Sequence, residues 1–573
     1  MGTISDKLMR IISTKEDIRQ ALISKGYDVP TSIPFKEYAK MILDLPCKAD
    51  SFPYIEGIVA RYSASGLTNE QMAANPVWVD KTGNGHDLQL KNFSWKGMSG
   101  IGGYVADIDE WGTNSTAAYF ERNSIKITAT FKENASLGLL YHNIKLRQSC
   151  VLKVTGIPEG CDAFLDDRLG NRFYMSEDGV YEIIPSNFLA EALYFSIEKY
   201  PEGWYGSKLT IEQLPLYPGA LVFDGVDDYG VCDNFPILTK EKGYTVVALR
   251  QWITYNPNVI SAIATNASDQ SFNGAFTFEN YNKGAEQTIS YGATQISLQY
   301  SKSPFSWQTT SKYNGVNIAN GNKDATNSLV LGRSYPQRND FANFAIWELV
   351  FLDHDATEEE LTKIKDYFVK TYPWLFPDQA WTVVGKTNED EDRATIANIT
   401  GNGNDLVLSN FGFAEGSGYN EEGEYAGYLV TDGVDDKIIS SIFKMGNDWT
   451  VIGDWELINT GKNDNAGIVK FDSIVIYNYN SMLINIKNGR NILIPDQNTV
   501  NAICSDGRIY SKDWKESIYN EETESTSKNF LTIGYSGNAY TKIAFKNLAI
   551  YPTVLSREDC IKAYNYLQTL KAK

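Results

Sequence analysis

Two short acidic motifs are the part of the sequence best suited to chemistry. The residues Asp-Gly-Val-Asp-Asp occur at 224–228 and again at 432–436. Carboxylate oxygens are the ligands that calcium prefers, so each motif could supply a cation site. Asp and Gly are also turn residues, and the Asp side chains could cap the turn by bonding its backbone. We favour turn capping and keep calcium binding open for Asp224, Asp227, Asp228, Asp432, Asp435 and Asp436.

Aromatic residues in Gly-rich or polar contexts form a second candidate group. Their flat apolar faces can stack on sugar rings, with Asn and Asp nearby as hydrogen-bond partners. Each of them taken alone is more typical of packing than of a ligand site. The candidates for glycan binding are Trp95, Trp111, Trp204, Tyr205, Trp307, Trp514 and Tyr519.

The sequence predicts no catalytic residue. A glycosidase needs a pair of carboxylates that converge on one sugar, and no predicted strand alternates acidic residues on one face. The acidic run at 388–393 is contiguous and indicates a solvated loop. His86, His142 and His354 are scattered and have no nucleophile motif beside them. We therefore expect that the chain is not an enzyme.

The acidic motif belongs to a longer internal repeat. Residues 82–93 match 400–411 with an offset of 318, whereas the acidic motifs differ by 208. The first copy therefore holds roughly 110 extra residues between these two matches, which indicates an insertion. A third match, 344–347 with 548–551, has an offset of 204. The later halves of the two copies are thus predicted to be nearly equal in length.

Composition and alternation predict a mainly β chain. The 573 residues include 35 Tyr and are 13% aromatic, and the runs around the repeated turns alternate apolar and polar residues. The repeat offsets then divide the chain. We predict a helical arm at 1–50, a first β-domain at 51–104 and 220–372, an inserted β-sandwich at 105–219, and a second β-domain at 373–573.

Residues 1–50 have a helical rather than a β pattern. Their two apolar stripes, separated by a Pro-rich elbow, are too short to bury a core alone. They could form a hairpin packed on the next domain, or an arm that docks onto another protein. We favour the docking arm, with the contact residues Ile18, Leu22, Ile23, Phe35, Tyr38 and Ile42.

Charge and cysteine usage exclude several classes of protein. The net charge of −19 disfavours binding to the phosphate backbone of nucleic acid, so no nucleic acid partner is expected. The sequence shows no signal peptide and no apolar run long enough to span a membrane, so no membrane insertion is expected. The six cysteines have no metal-ligand spacing and are predicted to be buried, reduced thiols.

The repeated motifs resemble laminin-G-like and concanavalin A-like lectin or glucanase domains. The resemblance rests on Asp-Gly-Val-Asp-Asp-Tyr at 224–229 and on the Ala-Ile-aromatic run at 345–347 and 549–551. It covers most of 54–104, 220–372 and 378–573. It implies two concanavalin A-like jelly-roll sandwiches, the first with an inserted smaller β-sandwich, and calcium as the cofactor to consider.

The N-terminal stretch resembles the start of virion proteins in tailed phages of gut Bacteroidales, including crAss-like phages. The matching residues are Thr14-Lys15-Glu16-Asp17 with Ser24-Lys25-Gly26, followed by Pro34-Phe35-Lys36-Glu37-Tyr38. In those phages such an arm precedes β-rich, lectin-like modules of fibre and appendage proteins.

Together the two resemblances imply a non-enzymatic virion structural protein, a head or tail fibre or appendage. Its arm would attach to capsid or tail proteins, and its lectin-like domains would bind host-surface or mucus glycans. We expect synthesis in the bacterial host cytoplasm, a place on the virion surface, and a homo-oligomer. Trimers are common among fibres, although the sequence has no coiled-coil heptads. The alternatives are a structural capsid or tail decoration protein without a ligand, and a polysaccharide-degrading glycoside hydrolase.

Overall fold

The structure is a computed structural model, and it describes residues 52–572 with gaps, together with Lys15 and Arg19. The longer gaps are 106–117, 133–139, 184–191, 199–205, 255–260, 268–276, 289–297, 310–324, 334–339, 459–466, 495–499 and 519–527, and the others span one to four residues. The predicted docking residues Ile18, Leu22, Ile23, Phe35, Tyr38 and Ile42 therefore lie outside the described residues.

The first repeated domain consists of two antiparallel sheets, with strands numbered here along the chain. One sheet, which we call its seam sheet, has the spatial order β21 (Phe305–Thr309), β16 (Thr245–Trp252), β23 (Asn343–Leu352), β14 (Leu221–Asp224) and β4 (Gly100–Ile101), and β1 (Ile58–Ser63) also pairs with β23. The outer sheet has the order β2 (Val77–Trp78), β3 (Leu88–Lys91), β15 (Tyr229–Cys232), β22 (Ala325–Leu331), β17 (Ser261–Ala267), β18 (Thr277–Tyr281), β19 (Ala285–Thr288) and β20 (Leu298–Gln299).

The second repeated domain has the same two sheets, and the strands that it shares with the first domain follow the same order, with two additional strands at one edge of its seam sheet. Its seam sheet runs β27 (Gly418–Tyr419), β28 (Leu429–Val430), β43 (Ile543–Tyr551), β31 (Thr450–Leu457), β36 (Val500–Cys504), β37 (Arg508–Ser511) and β38 (Glu516–Ile518), with β24 (Gln379–Thr382) paired to β43. Its outer sheet runs β25 (Thr395–Ile396), β26 (Leu406–Ser409), β29 (Lys437–Ser440), β40 (Leu531–Ile533), β32 (Gly467–Phe471), β33 (Ile474–Asn478), β34 (Met482–Ile486) and β35 (Arg490–Ile494). The chain is thus mainly β, with two jelly-roll sandwiches, as predicted.

Two further sheets lie within 105–219, where the insertion was predicted. One has the order β10 (Arg172–Met175), β9 (Asp162–Asp166), β12 (Ala192–Glu198) and β7 (Leu140–Lys145). The other has the order β11 (Gly179–Ile183), β8 (Cys150–Thr155), β13 (Lys208–Gln213), β6 (Lys126–Phe131) and β5 (Ala118–Arg122). Two small strand pairs complete the described strands, β30 (Phe443–Lys444) with β39 (Lys528–Asn529) and β41 (Tyr535–Ser536) with β42 (Ala539–Tyr540).

Each repeated domain ends in a capped helix, and a shorter helix lies near the start of the first domain. The helices are α1 (Asn69–Ala74), α2 (Glu358–Thr371) and α3 (Arg557–Leu567), and a 3₁₀ turn (Pro373–Leu375) follows α2. Thr357 and Glu360 form a capping box at the start of α2, and Ser556 accepts a bond from the Asp559 N–H at the start of α3. Within the described chain, no helix combines the length and the apolar character that crossing a membrane requires.

The register of the last strand corrects the third sequence match. Thr245 pairs with Leu352 in the first domain, and Thr450 pairs with Tyr551 in the second. Leu349–Leu352 therefore corresponds to Leu548–Tyr551, not the 344–347 run that the sequence alone suggested. Each of the two strands contains a β-bulge, at which one residue has no partner on the neighbouring strand. That residue is Trp347 in β23 and Lys546 in β43. The two bulged residues are equivalent and chemically different.

The central strands of each seam sheet are buried on both faces. In β16, Val246 and Ala248 face the interior of the first sandwich, whereas Val247 and Leu249 belong to a second core. That second core also contains Ile452 of β31 and residues of both α2 and α3. The two jelly rolls therefore share one apolar seam, in which their terminal helices cover the seam sheets.

Polar groups connect the insert and the second domain at one side of this seam. The Lys546 ammonium lies 3.4 Å from Glu182 of the insert and 3.4 Å from Asp454 of its own domain. The Tyr564 hydroxyl of α3 donates to Glu182 at 2.9 Å. Burial alone would lower the pKa of Lys546, but the charges of Glu182 and Asp454 outweigh it and the pKa is raised. The ammonium therefore stays charged and holds the insert against the second domain.

Replacing Lys546 with Met should lower the free energy of unfolding by about 3–5 kcal/mol, because two mostly buried carboxylates lose their cation. Urea titration at neutral pH measures the change. The matched control is Lys363→Met, whose surface pair with Glu359 at 2.7 Å should contribute less than about 1 kcal/mol. Equal losses in the two variants would contradict a structural role for the buried ammonium.

Candidate functional site

The acidic motif of the first domain forms a tight turn between β14 and β15. The Asp224 Oδ1 accepts the Val226 N–H at 2.8 Å, and the Asp228 Oδ2 accepts the Asp224 N–H at 3.0 Å. Gly225 has a φ of 75°, and a Cβ there would come within 2.7 Å of the Asn343 Cβ. Glycine is therefore required at this position, and two of the three carboxylates hold the turn in shape.

A second turn, at 92–99, is bonded directly to the acidic motif. The Asn92 side-chain amide donates to the Asp227 carbonyl at 3.1 Å. The Ser99 hydroxyl donates to the Asp228 Oδ1 at 2.9 Å and accepts the Ser94 N–H at 2.9 Å. The two turns thus form one unit, which we call the acidic edge, composed of residues 92–99 and 224–228.

The second domain has an equivalent acidic edge, composed of residues 410–417 and 432–436. Asn410 donates to the Asp435 carbonyl at 2.9 Å, and the Ser417 hydroxyl donates to Asp436 at 3.1 Å. Asp436 accepts the Asp432 N–H at 2.7 Å. The bonds between the two turns are therefore the same in both domains.

Each acidic edge carries an aromatic ring on a strained backbone position. Trp95 has a φ of 56° and its ring stacks on Phe93 with centroids 4.9 Å apart and an interplanar angle of 18°. Phe413 occupies the equivalent position with a φ of 48°, and the Arg393 guanidinium lies over its ring at 5.0 Å. Both residues are half-buried, and the Phe413 ring also stacks on Tyr419 with centroids 6.4 Å apart.

The tips of the two acidic motifs are open to solvent. Val226 is 70% exposed and Val434 is 69% exposed, although both are large apolar residues. Asp227 and Asp435, next along the chain, are exposed carboxylates. In each edge, an exposed carboxylate and an exposed apolar side chain therefore lie in the acidic turn. That turn is hydrogen-bonded to the turn that carries the aromatic ring.

Burial shifts the titration of the innermost carboxylate in each edge. It raises the pKa of Asp228 to about 7, against the opposing hydrogen bonds from the Asp224 N–H and Ser99, and the nearby Asp224 charge raises it further. The same causes raise the pKa of Asp436 to about 6. Crowded acidic groups in a partly dry site therefore oppose one another's ionisation.

The carboxylates are spaced suitably for one shared cation. In each motif, the three Asp residues offer oxygen atoms that all lie within 4.8 Å of one another. Since calcium–oxygen bonds are about 2.3–2.6 Å long, two ligands of one ion can lie up to about 5 Å apart. The donor set therefore fits a hard divalent ion, although Asp224 and Asp228 also serve the turn itself.

Only one aromatic candidate from the sequence is partly exposed in the described part of the chain. That residue is Trp95. Trp514 is 1% exposed and packs against Tyr510 and Tyr564, so its prediction as a glycan contact is wrong. Trp307 lies in β21, but its side chain is outside the described atoms. Trp111, Trp204, Tyr205 and Tyr519 lie outside the described residues.

The sequence analysis missed the polar residues that join the two turns. Ser99 and Ser417, like Asn92 and Asn410, are separated by 318 positions, the same offset as the predicted repeat. Extending that match by six residues would have reached both serines. The predicted buried thiols are confirmed for Cys150, Cys232, Cys504 and Cys560, which are free and buried.

Comparison with known proteins identifies no family. No family model matches the chain, and no curated protein matches it. Among solved structures, Trypanosoma rangeli sialidase in complex with sialic acid aligns with a TM-score of 0.25 and 9% identity, over 79% of this chain and 83% of the sialidase. An arabinofuranosidase complexed with arabinofuranosyl-alpha-1,2-xylobiose aligns with a TM-score of 0.21 and 8% identity, over 83% and 90%. The botulinum neurotoxin serotype G binding domain aligns with a TM-score of 0.20 and 9% identity, over 58% and 94%.

These findings correct the function predicted from sequence. The expected non-enzymatic phage virion fibre or appendage is wrong by this comparison, since the structures named are sialidase, arabinofuranosidase and toxin-domain structures and none is a virion protein. At such low TM-scores, the alignments do not transfer an activity to this chain either. The expected phage origin, virion partners, oligomer and location stay predictions.

Replacing Asp228 with Ala should destabilise the first domain by about 1–3 kcal/mol, because the buried Ser99 hydroxyl and the Asp224 N–H each lose their acceptor. Replacing the exposed Asp227 with Ala should change stability by less than about 0.5 kcal/mol. Urea unfolding in EDTA measures both without any contribution from a cation. The pair Asp436→Ala and Asp435→Ala repeats the test in the second domain, and equal effects within either pair would contradict the anchoring role.

Proposed function

We propose that the chain binds carbohydrate at the acidic edge of each jelly roll. The observation that carries the proposal is the recurrence of one arrangement in both domains: a half-buried aromatic ring, an exposed carboxylate and an apolar tip on two mutually bonded turns. An aromatic face can cover the apolar face of a sugar ring, and a carboxylate can accept bonds from its hydroxyl groups.

Trp95 and Asp227 divide the task in the first domain. The Trp95 ring is held in place by Phe93 and by its left-handed backbone, so little side-chain freedom is lost when a sugar stacks on it. Asp227 makes no bond to the turn backbone through its carboxylate among the described contacts, which leaves that group available to a ligand. Phe413 and Asp435 hold the same positions in the second domain.

One stacked ring and a few hydrogen bonds support only weak binding, on the order of millimolar per site. Two sites on one rigid chain would raise the apparent affinity for a polymer that reaches both. A polysaccharide with repeated units therefore suits the arrangement better than a free monosaccharide does.

We also propose calcium as the cofactor of each acidic edge. Asp224, Asp227 and Asp228 would hold it in the first domain, and Asp432, Asp435 and Asp436 in the second. When bound, calcium would supply positive charge for sugar hydroxyl oxygens. Its charge would also oppose the rise in pKa that burial, and to a smaller extent the neighbouring carboxylates, cause at Asp228 and Asp436.

The double variant Trp95→Ala/Phe413→Ala should bind polysaccharide at least about tenfold more weakly than the parent, because both sites lose their stacking face. A glycan array selects the ligand, and calorimetry with that ligand measures affinity. Each single variant should halve the number of sites. The control is Tyr119→Ala, which removes a 67% exposed aromatic ring of the insert and should have no effect.

A reducing-sugar assay on the same samples separates binding from hydrolysis. Unchanged affinity in the double variant would move the site elsewhere on the chain. The carbohydrate proposal itself fails if the parent protein binds no glycan in either calcium or EDTA.

Calcium should raise the melting temperature of the parent protein, and EDTA should reverse the rise. A ligand at about 100 times its Kd stabilises the folded state by about 2.7 kcal/mol. The double variant Asp227→Ala/Asp435→Ala should lose the response, because it removes one ligand per site and leaves the turn-capping carboxylates in place. Asp233→Ala, at another exposed Asp, is the control, and a response that persists in the double variant would exclude calcium from the acidic edges.

A further inference from the structure

Two buried thiols meet beneath the C-terminal helix of the second domain. Cys504 ends β36 and Cys560 lies in the first turn of α3, and both are fully buried. One contact brings them to the same place, because the Thr450 hydroxyl beside Cys504 accepts the Leu555 N–H at 2.9 Å and the Leu555 carbonyl lies beside Cys560. The Thr450 hydroxyl lies 3.7 Å from the Cys504 Sγ, and the Leu555 carbonyl lies 4.0 Å from the Cys560 Sγ. The pair therefore joins the seam sheet to the start of the helix.

The first domain has the same backbone arrangement without the thiols. Thr245 pairs with Thr309 where Thr450 pairs with Cys504, so Thr309 corresponds to Cys504. The helix N-caps Thr357 and Ser556 are equivalent, so Leu361 of the first domain stands at the position of Cys560 in the second.

The surrounding bonds also match between the two domains. The Thr245 hydroxyl accepts the Ala356 N–H at 2.8 Å, as the Thr450 hydroxyl accepts the Leu555 N–H at 2.9 Å. The fold can thus be built with Thr and Leu at the two thiol positions. The paired cysteines are an addition of the second domain rather than a requirement of the jelly roll.

We propose that Cys504 and Cys560 form a reversible disulfide that ties α3 to the seam sheet when the protein meets a small-molecule disulfide. The Cys504 thiolate attacks one sulfur of that disulfide, whose S–S bond breaks and releases one thiol. The Cys560 thiolate then attacks the Cys504 sulfur, forming the protein disulfide and releasing the second thiol. The two protein thiols are oxidised, the small disulfide is reduced to two thiols, and these carry the two protons.

The surroundings select Cys504 as the attacking thiol. The neighbouring Cys560 thiol lowers the pKa of Cys504 against the opposing effect of burial, and Thr450 and the Arg508 guanidinium lower it further. The Cys504 side chain, together with burial, raises the pKa of Cys560. Because both sulfur atoms are buried, exchange requires the first turn of α3 to open, and the rate should follow that local opening.

The disulfide would fasten the helix that joins the three domains. Tyr564 of α3 donates to Glu182 of the insert at 2.9 Å, and Tyr566 donates to Gln251 of the first domain at 3.2 Å. Fixing the start of α3 to β36 therefore restricts the separation of all three domains. This inference does not depend on carbohydrate binding.

The test equilibrates the full chain with glutathione buffers of increasing oxidised fraction, both in the native state and during refolding from urea. Peptide mapping should find a Cys504–Cys560 disulfide, with a loss of two hydrogens that dithiothreitol reverses. The oxidised protein should melt at a temperature higher by on the order of 10 °C, because the bond closes a long loop.

The variants Cys504→Thr and Cys560→Leu take the residues of the first domain at these positions. Both should fold, and both should lose the redox-dependent shift in melting temperature. Cys232→Ala removes a buried thiol of the first domain and should retain the shift. The proposal is overturned if mapping of the refolded, oxidised parent finds no Cys504–Cys560 bond, or if the shift persists in either variant of the pair.

Discussion

The burial of the two seam sheets on both faces is the constraint on which the rest of the structure depends. A jelly roll ordinarily buries one face of each sheet and leaves the other to solvent. Here β16 is buried along its whole length, and nearly all of β23, β31 and β43 is buried as well. Such strands cannot exist in an isolated sandwich without exposing a large apolar surface. The terminal helices and the neighbouring domain are therefore part of the fold, and the two repeats behave as one body.

The equivalent β-bulges show how that seam can be built in two chemical ways. A bulge redirects one side chain out of the regular alternation of a strand. In the first domain, the redirected residue is Trp347, which packs on Tyr566 with ring centroids 6.0 Å apart and donates from its indole to the Pro218 carbonyl. In the second domain, it is Lys546, which lies between two carboxylates. Trp347 therefore contributes buried apolar area to the seam, and Lys546 contributes a buried charge that is paired. The apolar area stabilises the contact between the domains, and the paired charge fixes their relative position.

Turn chemistry was the part of the fold that could be predicted from the sequence. The acidic motifs and the Gly-Asn-Gly turns at 83–85 and 401–403 have fixed backbone requirements, so their recurrence indicated the repeat and the insertion. The last strand was different. The apolar sequence of β23 can be aligned with that of β43 at several offsets with similar residue matches. Only the pairing of these strands with β16 and β31 decides which offset is correct. Similarly, Trp514 lies in a polar stretch of sequence, yet a φ of 63° turns its ring into the core.

The two copies separate what the fold requires from what each domain adds. The bonds Asn92–Asp227 and Asn410–Asp435 recur because they close the same pair of turns. By contrast, Arg61 forms a buried ion pair with Glu348 at 3.1 Å in the first domain only. In the second domain, Ala380 stands at the position of Arg61 and Asn547 at the position of Glu348.

That ion pair lies beneath α2, where the Tyr367 and Tyr372 hydroxyls bond to it at 2.9 and 2.8 Å. The second domain has no charge at these two positions, so the jelly roll can be built without the pair. In the first domain, the ion pair helps to hold α2 on the seam sheet. In the second domain, the thiol pair lies at the corresponding contact between α3 and its seam sheet. The differences at Trp347 and Lys546, at the Arg61–Glu348 pair and at the Cys504–Cys560 pair all lie where the terminal helices meet the seam sheets. The acidic edges, by contrast, lie in turns whose bonding the two copies share.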